Sequence, residues 1–422
     1  MRNGYRVIDV DTHVTPSLEV MLRYADAKLL ARKAELKPYT RTMKPVAGRG
    51  HPTENYEVIR VNPRPYKRVA GMKADAPAAG TAGGQGALEG RVENVAKGQP
   101  RDGIQHDNSA GRLLDMDVEG VDIDVLIPAP WAPGSTALDL DLARGLYDAY
   151  HRYQADYCSA DSRRLKGLVL VPGADPDYAV RAIKSLAGQD WVTAAWPLLP
   201  ESMPVDDPDL DPVWAAMNDA DLPILHHSFF YEPPYFPGYR DIWENPVVAR
   251  TAAHVWGAQR LISYVLISGM LDRFPALRVA TVETGHGWLP HWIVRLNSQV
   301  TYVKGGVRDD LKHTPLEYVE MGKVFCAIEA HEGPYLTKSV VDILGDGVLM
   351  YSSDFPHPEC MFPEHTDYVL GWKDVIGETA TRKLMGDNAA RYLRLLSAPW
   401  DDTPSPQGAL PGSSLASPGA KS

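Results

Sequence analysis

The stretch LKGLVLVP (165–172) is apolar on both faces of an extended chain, and its reading decides the fold. A strand with one solvated face alternates apolar and polar residues, whereas a run this continuous belongs in a parallel sheet covered on both sides. The same unit recurs on either side of it. Upstream lies VDIDVLIP (121–128), followed by leucines and tyrosines at helical spacing over 136–163. Downstream, a Pro-Gly turn leads to a helical pattern over 177–186 and another apolar run at 191–198. Carried along the chain, the pattern gives eight strands, at 5–12, 121–128, 165–172, 191–198, 222–228, 277–284, 324–330 and 348–353. Further helical patterns fall at 211–220, 245–274, 335–344 and 379–395. Eight β-then-α alternations predict an α/β fold of the (β/α)8, or TIM-barrel, type. An open doubly wound sheet is the alternative, but no Gly-rich nucleotide loop follows the first strand.

The bulk properties narrow the class. The 422 residues are 44% apolar and 23% charged, enough for one large domain with a sizeable core. A net charge of -11 argues against nucleic acid or an anionic membrane surface as a partner. Three scattered cysteines, Cys158, Cys326 and Cys360, make neither a disulfide framework nor a thiolate zinc site, and they suit a reducing cytoplasm. The N-terminus lacks the apolar core of a signal peptide, and no apolar run is long enough to span a bilayer. A single barrel domain is therefore expected over 1–395, with an insertion at 17–111 that is flexible over 71–100 and a disordered tail at 396–422. The insertion contains the Gly/Ala-rich run GMKADAPAAGTAGGQGALEG (71–90), whose G-G-x-G has no strand before it and so is no phosphate loop. Next to a catalytic face, such an insertion would serve as a lid or an oligomer contact.

In a parallel barrel the C-terminal strand ends build the active site, so residues there carry the functional reading. The first strand ends IDVDTHV (8–14), and residues two apart share a face, which puts Asp11 and His13 together with Asp9 one layer below. The fifth ends ILHHS (224–228), where either His226 or His227 faces the barrel interior. The sixth ends VETGHGWLP (282–290), offering Glu283 and His286. The seventh ends AIEAHEG (327–333), and Glu329, His331 and Glu332 are read there as solvated loop polarity. The eighth ends YSSDFPHPE (351–359), giving Asp354 and His357. A carboxylate buried at such a position needs a partner, because an unpaired one costs several kcal/mol. Asp, Glu or His at one rim on four strands points to a divalent metal held by nitrogen and oxygen ligands. Among rival chemistries, no G-x-S-x-G elbow, H-E-x-x-H, C-x-x-C or Walker loop occurs.

Taken in order, VIDVDTH, DMDVEGVDIDVLIP, RLKGLVLVP, DLPILHH, LDRFPALRVATVETGHGWLP, YSSDFPHPE and MGDNAARYL resemble the amidohydrolase-related proteins. This is the branch of the amidohydrolase superfamily that includes aminocarboxymuconate-semialdehyde decarboxylase and γ-resorcylate decarboxylase. The resemblance implies a metal-dependent barrel with zinc as the first choice of metal and manganese or iron as alternatives. It implies Asp11, His13, His226 and Asp354 as ligands, with His357 orienting Asp354 or the substrate. The sixth strand departs from the decarboxylases, which carry A-H-G-G or G-H-M-G there. Glu283 and His286 therefore share the ligand and acid–base assignments at that strand.

Two reactions follow from the resemblance. One is hydrolysis, with Asp354 taking a proton from water, His226 polarising the carbonyl and Glu283 or His286 protonating the leaving group. The other is non-oxidative decarboxylation of a small carboxylated or aromatic compound. Trp131, Trp288, Phe229 and Tyr231 near the rim suit a flat substrate, or pack. With E-x-x-H added, the ligand set would also hold two metals, as in a dinuclear iron or iron–manganese oxygenase. A non-catalytic, metal-binding subunit of a hetero-oligomer is the remaining alternative. The partners expected are a small-molecule substrate and, by default for such barrels, further copies of the chain.

Overall fold

The eight core strands are β1 (Ile8–Val14), β4 (Ile123–Pro128), β5 (Leu165–Pro172), β6 (Val192–Leu198), β7 (Ile224–His227), β8 (Val279–Val282), β9 (Val324–Ala327) and β10 (Leu349–Met350). In this computed structural model they form one parallel sheet in the order β1-β4-β5-β6-β7-β8-β9-β10. The structure describes residues 1–43, 54–60, 108–128, 131–200, 203–227, 246–303, 305–357 and 359–395. The expectations for 71–100 and for the tail from 396 lie outside these residues, as do Phe229 and Tyr231. The sheet closes on itself. Val10 N–H donates to Tyr351 O at 3.2 Å, Asp354 N–H to Asp11 O at 3.0 Å and His13 N–H to Phe355 O at 2.7 Å. The fold is thus the (β/α)8 barrel that the strand count requires.

Every residue of LKGLVLVP is buried, because barrel side chains fill one face and helices cover the other. Those helices are α3 (Ser109–Glu119), α4 (Leu140–Cys158), α5 (Pro176–Leu186), α6 (Asp211–Asp219), α7 (Pro246–Ile267), α9 (Leu289–Tyr302) and α11 (Gly333–Leu344). Short helices α1 (Leu18–Arg23), α2 (Ala27–Ala31), α8 (Met270–Arg273) and α10 (Pro315–Glu320) fill the gaps. Local chemistry sets their starts. Asp139 caps α4 by accepting Leu142 N–H at 2.9 Å, and Thr314 and Glu317 form a reciprocal capping box on α10. Among the described residues no helix is long and apolar enough to cross a membrane.

The described part of the insertion packs onto the barrel. Strands β2 (Thr40–Met43) and β3 (Tyr56–Ile59) pair antiparallel, and Val20, Met21, Leu29, Leu36 and Ile59 join the hydrophobic core. At the opposite end of the barrel from the carboxyl strand ends, MGDNAARYL forms the floor. Asn388 Nδ2 donates to Asp346 O and Leu349 O, both at 2.8 Å, and Tyr392 Oη donates to Ile224 O at 2.6 Å.

Candidate metal centre

β1 does not run straight into the rim. Its register against β4 shifts between Asp9 and Thr12. This bulge takes Asp9 out of the row in which the sequence placed it. Its carboxylate accepts the N–H groups of Asp11 (3.2 Å) and Ser353 (3.1 Å) and borders a cavity lined by residues of α3. Asp11 and His13 stay together at the rim. His13 Nε2 lies 3.3 Å from Asp11 Oδ1 and 3.1 Å from Asp354 Oδ1. Its ring stacks on His357 with centroids 4.2 Å apart.

The fifth-strand histidine at this centre is His227. Its Nε2 stands 2.8 Å from Glu283 Oε2 and 3.7 Å from Asp11 Oδ1, and its ring is 5.1 Å from that of His13. The expectation of His226 is corrected by the pleat: neighbouring strand residues face opposite ways, so His226 turns from the cluster that His227 enters. Both are buried, and burial draws both imidazoles down to about 3, which keeps the His227 lone pair free of a proton.

His286 is the second correction. It is fully buried but joins neither ligand cluster, for its hydrogen bonds are already made. Nδ1 accepts Glu329 N–H at 3.1 Å and Nε2 meets Thr337 Oγ1 at 2.9 Å. The Glu332 carboxylate in turn accepts the N–H groups of His286 and Gly287, each at 2.7 Å. Glu283 alone represents the sixth strand at the centre. It sits at φ 49° and Asp354 at φ 58°, left-handed conformations that few non-glycine residues adopt. Such strain persists where the surrounding structure over-determines it, commonly at functional sites.

Two overlapping groups have ligand atoms within 4.8 Å of one another: His13, Glu283, Asp354 and His357, and Asp11, His13 and His227. These residues fit a divalent cation on one direct observation. Asp11 Oδ1 and both nitrogens of His13 are enclosed yet make no hydrogen bond, although two carboxylate oxygens crowd His13 Nε2. Buried polar atoms normally find aligned partners; lone pairs that converge without aligning are what a cation's ligands do. The charges agree. Burial would depress His13, but the carboxylates of Asp11 and Asp354 outweigh it and push the imidazole up to about 10. Burial would raise Asp354, but His357, with Nδ1 2.6 Å from Asp354 Oδ1, and His13 hold it well below the usual carboxylate range.

Two residues at this centre escaped the sequence reading. Glu329 is not solvated loop polarity: its side chain is 13% exposed, and burial plus Asp354, Glu283 and Asp11 push its carboxyl well above the usual range. His254, inside α7, brings Nδ1 to 3.9 Å from Glu283 Oε1. A histidine in mid-helix gives no strand-end signal. Trp131, expected near the rim, is 2% exposed and packs on Tyr147 and Tyr150. Trp288 donates to Thr284 O and Gly285 O at 3.0 and 2.9 Å.

A parallel barrel with a His/Asp/Glu cluster at its carboxyl rim defines a metal-dependent barrel enzyme. The chain belongs to the amidohydrolase family, whose model matches residues 8–395, and it is an enzyme of that family. It is similar in fold to 5-carboxyvanillate decarboxylase from Sphingomonas paucimobilis, with a TM-score of 0.58 and 21% identity over 93% of this chain and 100% of that one. An amidohydrolase from Mycobacterium avium subsp. paratuberculosis has a TM-score of 0.62 at 19% identity, covering 92% of this chain and 98% of its own. A 2,6-dihydroxybenzoate decarboxylase from Rhizobium has a TM-score of 0.55 at 19% identity, over 67% of this chain and 87% of its own. No curated protein matches the chain.

Proposed function

We propose that the protein is a carboxy-lyase that removes a carboxylate from a small hydroxylated aromatic acid without an oxidant. The observation that carries this reading is the split between two carboxyl groups at one centre. Asp354, gripped by His13 and His357, is held strongly ionised, which makes it a poor base for activating water. Beside it, burial and the neighbouring carboxylates of Asp354, Glu283 and Asp11 push the Glu329 carboxyl well above the usual range, the direction suited to an acid that protonates a ring carbon. Solved relatives that span more than nine-tenths of this chain support the substrate class. One of them, the 5-carboxyvanillate decarboxylase of Novosphingobium aromaticivorans, was determined with manganese and 4-hydroxy-3-methoxy-5-nitrobenzoic acid.

Asp11, His13, His227 and Asp354 would hold the divalent metal, with Glu283 and His357 at its border. When bound, the metal supplies a Lewis acid for the substrate's carboxylate and neighbouring hydroxyl. The chain does the rest. His357, a third exposed at its side chain, faces the mouth and orients the incoming anion. Glu283, lying between His227 and His254, keeps its carboxylate fixed while the substrate is seated. The ring–carboxyl bond breaks, carbon dioxide leaves with no change in oxidation level, and the proton of Glu329 takes its place on the ring carbon. The test is release of carbon dioxide from a panel of hydroxybenzoates, including 5-carboxyvanillate and 2,6-dihydroxybenzoate. Turnover of esters, lactones or amides in place of the acids would assign the centre to hydrolysis. One observation favours a second reading: the two ligand groups share His13 and would suit two cations. Two redox metals per chain, with oxygen consumed during turnover, would mark an oxygenase.

A further inference from the structure

We propose that Arg112 is a positioning residue for the metal centre: a buried guanidinium that locks the His13 peptide and the two ligand-bearing segments on either side of the barrel seam. This rests on the reading of Asp11, His13 and Asp354 as ligands, and it names a residue outside that set. Arg112 lies on α3, the helix by which the chain re-enters the barrel after the insertion, and is 1% exposed.

Its contacts converge on the seam. Nη2 donates to the backbone carbonyl of His13. The guanidinium lies over the Phe355 ring, 4.6 Å from the centroid, and Nη1 is 3.5 Å from Asp124 Oδ2. The other side of the His13 residue is held by Phe355, whose carbonyl accepts His13 N–H at 2.7 Å. Arg112 therefore grips His13 directly and, through the Phe355 ring, the residue that grips it from across the seam. Asp9 completes the seam from below by accepting N–H groups of Asp11 and Ser353, each next to or part of the ligand set. A cavity of about 20 Å³ among Asp9, Arg112, Asp124 and Ser353 has room for one water.

The chemistry needs arginine. Only a planar, always-charged fork can donate to a carbonyl, face a carboxylate and stack on a ring at once. β1 is bulged just before this point and the eighth strand is only two residues long, so a few backbone bonds rather than a continuous ladder join the His13 and Asp354 segments. The lock from α3 supplies that constraint.

The test compares Arg112→Lys and Arg112→Met/Asp124→Asn with the wild type. The double variant also removes the Asp124 carboxylate that faces the guanidinium, and Arg112→Lys keeps a cation beside the remaining buried acids Asp9 and Asp115, so the fold stays testable. Manganese affinity by calorimetry is expected to fall about 10–100-fold in the double variant, as for loss of groups that orient metal ligands, with partial recovery in Arg112→Lys. Hydrogen–deuterium exchange, measured without metal, should rise in peptides covering 9–14 and 351–356 and stay unchanged in 165–172. Unchanged exchange at the seam, a uniform rise throughout, or unaltered manganese affinity would each overturn the proposal. A wild type that binds no divalent metal would sink the metal-site reading instead, and the exchange pattern would still decide for or against the lock.

Discussion

The two ends of the barrel are built from the same residue types and used in opposite ways. At the floor, Asn388 satisfies two carbonyls, Tyr392 a third, and the Arg278 guanidinium bonds Tyr392 O at 2.6 Å and Ala276 O at 3.0 Å. At the rim, Asp11 Oδ1 and both nitrogens of His13 crowd one another and Asp354 without completing their hydrogen bonds. Buried polar groups that satisfy one another stabilise; buried groups that converge unsatisfied await something else. His286 shows that the distinction holds within one rim, because it lies near the centre and yet belongs by its bonding with the satisfied groups.

Breaking the contrast at the rim should give the largest effect. Asp354→Asn is expected to weaken metal retention by more than the roughly 10–100-fold that outer partners cost, and to abolish turnover, with the fold kept. Metal analysis after gel filtration checks it; full occupancy would remove Asp354 from the ligand set. Next comes the histidine pair. His227→Gln should lose metal on the same scale, whereas His226→Gln should retain it, as the same analysis will show.

At the floor the signs reverse. Asn388→Ala deletes one buried and one part-buried hydrogen bond and takes the Asn388 donor from two carbonyls, so roughly 2–4 kcal/mol of stability should go in urea unfolding, with metal content unchanged. Glu332 gives the smallest effect, and a pH-dependent one. Burial would raise its carboxyl, but the His286 imidazole and the N–H groups of His286 and Gly287 draw it down to about 2. A depressed acid contributes stability that is present above its unfolded value of about 4.5 and lost as pH falls through about 2. Glu332→Gln should therefore unfold more readily at pH 6 and show a flatter loss between pH 4.5 and 2. Identical pH slopes for variant and wild type would contradict that coupling.

Much of the fold was legible because barrel strands announce themselves. Continuous apolar runs such as VDIDVLIP and LKGLVLVP became β4 and β5, with the helical pattern after each becoming α4 and α5. Strand ends were legible too, since Asp11, His13, Glu283 and Asp354 all terminate apolar runs. What the sequence hid was direction. His226 and His227 are adjacent, and only the folded contacts of His227 with Glu283 and Asp11 say which one enters the cluster. The β1 bulge moved Asp9 to another face, and no residue type in IDVDTHV marks a bulge. Long-range partners were equally hidden. Nothing near Arg112 in the chain reveals that it meets His13, almost a hundred residues earlier. His286 looked like a ligand by spacing, and only the Thr337 hydroxyl and the Glu329 N–H, both distant in sequence, occupy its ring nitrogens.

One cluster at the rim is built to hold a divalent cation. Crystals grown with manganese and measured for anomalous scattering test it most directly. A single dominant peak is expected, bounded by Asp11, His13, His227 and Asp354 and within about 2.0–2.3 Å of their ligand atoms. A peak at His286 and Glu332, or none at the rim of manganese-loaded protein, would contradict it.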